Sequence, residues 1–277
     1  MILVTGASGT VGREVVKALG AASARFRAGY RTRPQNLPTG VDAVALDYDK
    51  PETIRPALAG VETLFLLSNT VASERGVVDE AKKAGVRRIV KLSVLGAEKE
   101  EYTFAKWHRA IEKHIESSGL VWTFLRPTGF MQNVINYMAG TIRSQGAIYS
   151  SAGEARIAHV DARDIGAVAA RVLTAGSHGG QAYALTGPAA LTYSQVAETL
   201  SRVLDKPVKY VPITPEQYKQ AAVGAGTPAG YADALVDLER HYKAGGASVV
   251  SPAVKQLTGR DPIPFEQFAR EHASAWK

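Results

Sequence analysis

Three glycines, Gly6-x-x-Gly9-x-x-Gly12, stand directly after the apolar run Ile2-Leu3-Val4. Glycine reaches positive φ and lets the backbone approach a bound group closely. Ahead of a helix beginning near Thr10, such a turn offers unpaired N–H groups and a positive dipole end to an anion. A strand, a glycine turn and a helix in that order form the cradle of a dinucleotide pyrophosphate. Gly6, Ser8, Gly9, Thr10, Val11 and Gly12 are therefore the first candidate binding residues.

The next strand and its exit read Arg25-Phe26-Arg27-Ala28-Gly29-Tyr30-Arg31-Thr32-Arg33. A cofactor with a free ribose 2′-OH meets an acidic residue about 20 residues beyond the glycines. That region holds Arg31 and Arg33 and no carboxylate. A guanidinium fork suits a 2′-phosphate, so NADP(H) is the expected cofactor rather than NAD(H).

The elements that must position these residues follow from alternating apolar runs. Strands are expected at 43–46, 63–67, 88–93 and 121–125, with helices at 52–58, 74–84 and 104–118 between them. Strand–helix alternation of this kind builds an α/β fold, a doubly wound parallel sheet of Rossmann type. Its ligands bind beyond the carboxyl ends of the strands. Further on, helices at 165–174 and 194–204 and strands at 182–186 and 208–211 are expected, then a helical segment richer in Gly and Pro. The division expected is a dinucleotide-binding domain over 1–150 and a smaller, mostly helical lobe over 151–277, interwoven with the first. A Gly- and Ala-rich connection is expected at 221–229.

Composition narrows the function. The 277 residues are 45% hydrophobic and 21% charged, as in an ordinary globular protein. No apolar run reaches membrane-spanning length, and a strand beginning at Ile2 leaves no room for a signal peptide. Without cysteine there are no disulfides or thiolate sites, which fits a cytoplasmic protein. The net charge of +7 is scattered, without basic–aromatic interleaving, so no nucleic-acid partner is expected. No histidine stands at metal-ligand spacing, and no metal is expected. A homo-oligomer is compatible with the sequence.

The chain resembles the NmrA-like atypical short-chain dehydrogenase/reductases. Within them the likeness is to bacterial NADPH-dependent quinone oxidoreductases and triphenylmethane-dye reductases. The resemblance rests on the glycine motif, Leu46-Asp47-Tyr48-Asp49, Leu66-Leu67-Ser68 and the stretch from Ala84 through Lys91-Leu92-Ser93. It also rests on the helix from His108 to Gly119, Trp122-Thr123-Phe124-Leu125-Arg126-Pro127 and Val160-Asp161-Ala162-Arg163-Asp164-Ile165. It implies that Asp47 reaches the adenine and that Leu67 and Ser68 pass the ribose and pyrophosphate. Ser93 and Pro127 would lie near the nicotinamide, with Phe130, Asn133 and Tyr137 walling the substrate pocket. The segment from Ser68 to Glu80 looks shorter than its family counterpart, which implies a differently shaped lid.

Two proton donors come into question. Tyr102-x-x-x-Lys106, with Ser93 upstream, matches the acid–base set of ordinary short-chain dehydrogenases. Yet Phe104, Trp107, Ile111 and Ile115 make the apolar stripe of that helix, which sends Tyr102 and Lys106 to the opposite, water-facing side. His108 flanks the stripe and matches a histidine of the quinone-reductase relatives; an imidazole can protonate or hydrogen-bond a carbonyl. Arg126 is expected in a fixed ion pair, Asp161 and Asp164 as helix caps, and His159 as a packing residue. The leading expectation is an NADPH-dependent reductase passing hydride to a quinone-like or other conjugated small molecule. Carbonyl or imine reduction through His108 or Tyr102 is the alternative, as is a non-catalytic NADP(H)-binding redox sensor.

Overall fold

Strand β1 (Ile2–Val4) is buried at all three positions, as a parallel strand covered by helices on both faces must be. The computed structural model describes residues 1–32, 41–68 and 70–277. Helix α1 (Thr10–Ala21) leads to β2 (Phe26–Tyr30) and β3 (Asp42–Ala45). Helix α2 (Pro51–Ala57) starts on proline, whose missing N–H is harmless in a first turn. The alternation continues through β4 (Thr63–Leu66), α3 (Glu74–Lys83), β5 (Arg88–Leu92), α4 (Thr103–Ser117) and β6 (Val121–Pro127). Next come α5 (Gln132–Asn136), α6 (Ala139–Gln145), β7 (Ala147–Ser150), α7 (Ala162–Thr174) and β8 (Gln181–Leu185). The chain closes with α8 (Tyr193–Leu204), β9 (Lys209–Pro212), α9 (Pro215–Gly224), α10 (Ala229–Lys243), α11 (Ala253–Thr258) and α12 (Phe265–Glu271).

Seven strands form one parallel sheet in the order β3-β2-β1-β4-β5-β6-β8. The direction of winding reverses between β1 and β4, which opens a crevice at their carboxyl ends. Side chains alternate across the sheet: in β5, Val90 joins the core under α1 and α7, while Ile89 joins the core under α2, α3 and α4. Gly166 of α7 lets two helix backbones touch, because a Cβ there would lie 2.7 Å from the Glu14 carbonyl carbon of α1.

A second, two-stranded parallel sheet pairs β7 with β9. It packs with α8 and α12 around Ile148, Leu200, Phe268 and Trp276. The first sheet takes β8 from beyond residue 150, and the second takes β7, which ends at Ser150. The expected connection at 221–229 is shorter, 225–228: α9 runs to Gly224 and α10 starts at Ala229, and the capping box of Thr214 with Gln217 starts the helix that takes in the first alanines. No described helix is long and apolar enough to cross a membrane.

Candidate active site

The glycine turn is stitched to the strands on either side of β1. The Thr5 hydroxyl lies 3.0 and 2.9 Å from the carbonyl oxygens of Phe65 and Leu67 and accepts the Leu67 N–H at 2.8 Å. The Ala7 N–H donates to Gly29 O at 3.3 Å. Gly6 takes φ +58° against Leu67, and a Cβ on Gly12 would lie 2.0 Å from Gly6 O. Only glycine at position 12 lets α1 start so close to the turn.

Helix α1 begins on Gly9 with no side-chain cap and no acidic residue in its first turn. Its first N–H groups are thus left for an external acceptor, and its dipole favours an anion there. Gly6, Ser8 and Gly9 are exposed at this rim, Thr10 is half-buried, and Val11 and Gly12 are buried beneath it. The residues present fit a dinucleotide pyrophosphate: a cradle that any Cβ at Gly12 would close, an uncapped helix start and no acidic residue in the first turn of α1.

Arg31 is exposed at the exit of β2, two residues beyond the carbonyl that receives Ala7; Arg33 lies outside the described residues. Asp47 follows β3, half-buried, with Oδ1 accepting the Asp49 N–H at 3.2 Å. Leu67 and Ser68 leave β4. The Ser68 hydroxyl donates to Glu74 Oε1 at 3.0 Å, and Glu74 pairs with Lys91 of β5, both closed to water. Burial pushes the Glu74 carboxyl above its usual range against the pull of Lys91. The sequence reading passed over this pair; its only signal was a lysine inside the apolar run of β5.

Ser93 and Pro127 stand at the ends of the neighbouring strands, where Ser93 N–H donates to Leu125 O at 2.7 Å and Leu95 N–H to Pro127 O at 2.8 Å. Phe130 and Asn133 are half-buried beyond β6, and Tyr137 is open to solvent. The turn that carries Phe130 is held by Thr128 N–H on Leu185 O and Met131 N–H on Val160 O, at 3.0 and 2.9 Å.

The tyrosine–lysine pair is not assembled. Tyr102 does not face water, contrary to the helical-face expectation. It is buried, its hydroxyl donates to Leu95 O at 2.6 Å, and its ring stacks on His241 of α10 at 4.2 Å. Lys106 is exposed. Ser93 gives its hydroxyl hydrogen to Glu112 at 2.7 Å, in a network where Arg126 also binds Glu112 and Glu98. The fixed ion pair expected of Arg126 is there.

Trp107 is not in the core stripe. It is 39% exposed and rests against Phe104 and Tyr231, because α10 covers the start of α4 and takes up its flank. Asp161 caps α7 through the Arg163 N–H. Asp164 does not cap: it accepts Ile263 N–H at 2.8 Å and pairs with Arg260.

His108 is half-buried in the first half of α4. Its Nδ1 is buried and has no hydrogen-bond partner among the described residues. Burial, and then the nearby charge of Lys91, push the imidazole well below 6.5, so it is neutral at physiological pH. His159 is buried beside Tyr193, and burial pushes it down to about 4.

The chain is similar to known proteins over nearly its whole length. The family model described as "NmrA-like family" matches residues 1–259. An NAD(P)H azoreductase of Xenophilus azovorans is 39% identical over 285 residues, covering 100% of this chain and 99% of the relative. The NADPH-dependent quinone oxidoreductase of Escherichia coli, solved in complex with NADPH, superposes with a TM-score of 0.86 at 29% identity, over 99% of this chain and 100% of that one. The triphenylmethane reductase of Citrobacter sp., solved with NADP(H), does so with a TM-score of 0.85 at 28% identity, over 98% and 99%. With its seven-stranded sheet, its glycine turn at the crevice and a family match over nearly the whole chain, this protein belongs to the NmrA-like family.

Proposed function

We propose that this chain is an NADPH-dependent reductase that passes hydride to a quinone-like or similarly conjugated small molecule. The observation that carries the reading is the uncapped start of α1 beside Gly6 and Gly12, at the crevice where the sheet reverses. The azoreductase, quinone oxidoreductase and triphenylmethane reductase among its relatives are named for conjugated compounds, and two of them were solved with NADPH or NADP(H).

Bound NADPH supplies the hydride. The protein supplies binding and orientation. The turn from Gly6 to Gly12 holds the pyrophosphate, Arg31 answers the 2′-phosphate, and Pro127 and Phe130 border the nicotinamide end. Quinones accept hydride without a strong acid, which suits a site where the Tyr102 and Ser93 hydroxyls are committed to the Leu95 carbonyl and the Glu112 carboxylate inside the fold. A neutral His108 has one ring N–H with which to offer a hydrogen bond to an acceptor oxygen as charge builds there.

The test follows loss of the reduced-nicotinamide absorbance, with and without a simple quinone. Quinone-dependent loss, abolished in Gly12→Ala, is expected. No loss with quinone, azo or triphenylmethane acceptors, while NADPH still quenches tryptophan fluorescence, would overturn the reading in favour of a dinucleotide sensor.

A further inference from the structure

Three aromatic rings crowd the start of α4. Phe104 is 9% exposed and meets Trp107 and Tyr231 edge-on, each at 5.2 Å between centroids. Trp107 and Tyr231 lie 6.3 Å apart with planes tilted by 37°, and they keep 39% and 42% of their surface open. Tyr137 is near: burial, and then Tyr137, hold the Tyr231 phenol above its usual value. Exposed aromatic surface gathered this way is costly unless it has a use.

The rings are held in place rather than loosely laid down. Asp237 of α10 accepts both the N–H and the hydroxyl of Thr103, at 2.8 and 2.7 Å. The stack of Tyr102 on His241 fixes the same two helices. The start of helix α4 is tied to the carboxyl end of β6, because the Tyr102 hydroxyl donates to Leu95 O at 2.6 Å and the Leu95 N–H donates to Pro127 O at 2.8 Å. The residue after Trp107 is His108, with its unpartnered Nδ1.

We propose that Trp107 and Tyr231, propped by Phe104, form a stacking wall for the acceptor, and that this wall favours fused-ring acceptors over single-ring ones. The proposal rests on the reductase reading and names its acceptor class. Aromatic faces are electron-rich and prefer offset or edge contacts with other rings, so an electron-poor conjugated acceptor complements them. A second copy of the chain is the poorer occupant, because a stable interface takes about 800 Å² from each partner and a few exposed rings supply far less.

The test is calorimetry on protein loaded with NADP⁺, using naphthoquinone and benzoquinone as probes, with the KM and kcat of each quinone measured alongside. We expect naphthoquinone to bind about tenfold more tightly than benzoquinone, and Trp107→Ala or Tyr231→Ala to remove about that factor. NADP⁺ affinity and kcat should hold, the KM for naphthoquinone should rise, and Trp107→Phe should restore most of the preference. Equal affinities for the two quinones, no binding of either, or an unchanged KM in both alanine variants would overturn the wall. Turnover with an unchanged KM would do so while leaving the reductase reading intact. Ring-dependent binding without any NADPH oxidation would instead retain the wall and remove the reductase.

Discussion

The Ser93 hydroxyl lies 2.7 Å from Glu112 Oε1, and the same carboxylate takes the Arg126 guanidinium at 3.0 and 2.7 Å. Ser93 thus ties β5 to α4 directly beside the crevice. A hydrogen bond to a charged group contributes about 1.5–3 kcal/mol. Ser93→Ala should lower stability by about that amount in urea titration and leave turnover within a few-fold of the parent. A hundredfold fall in kcat at unchanged stability would put the hydroxyl at the acceptor instead.

Arg31 is the described basic residue at the exit of β2. A charge-assisted contact to the 2′-phosphate is lost on truncation, whereas a 2′-OH has no such contact to lose. Arg31→Ala should raise the Kd for NADPH about tenfold and leave that for NADH nearly unchanged. Titration of tryptophan fluorescence with each cofactor checks this, and an equal loss for both would refute it.

His108 should act as a neutral hydrogen-bond donor. Its protonation lies well below 6.5 because of burial and Lys91, so kcat with a quinone should be flat from about pH 6 to 8. His108→Ala should lower kcat/KM about tenfold without adding an inflection. A limb near pH 6.5 in the parent, missing in the variant, would mean that the imidazolium does the work.

Stability should fall on mild acidification. The pKa of His159 is depressed to about 4 by burial, so between 6.5 and about 4 the unfolded chain binds the extra proton and the native one does not. Unfolding free energy therefore rises with pH across that window and is lost as pH falls through it. His108 contributes with the same sign. The parent should lose about 2 kcal/mol more than His159→Gln between pH 7 and pH 5 in urea titrations. Parallel losses in the two proteins would show that His159 is not the source.

The parallel, helix-covered sheet and the glycine turn were legible because both depend on local signals: a buried run, a turn that only glycine allows, an apolar period. The faces of α4 were not. Periodicity assumes one neighbour, and α4 has two, the sheet on one side and α10 on the other. Helix α10 arrives more than a hundred residues later, buries Tyr102 under His241 and draws Trp107 out toward Tyr231. Asp164 misled for the same reason. Its position in the first turn of α7 reads as a cap, but its partners Ile263 and Arg260 lie far down the chain. The pairing of Glu74 with Lys91 joins an otherwise ordinary helix start to a strand, and nothing in either segment alone announces the other.

The backbone contact of Gly166 on Glu14 also bears on how the protein is made. Helix α1, made well before α7, has its outer apolar face covered only when α7 has emerged. Until then the nascent chain carries a cofactor cradle on a helix with no backing, and its sheet lacks the last strand. Competence to bind a dinucleotide should therefore appear late in translation, after most of the chain is already exposed to chaperones and proteases.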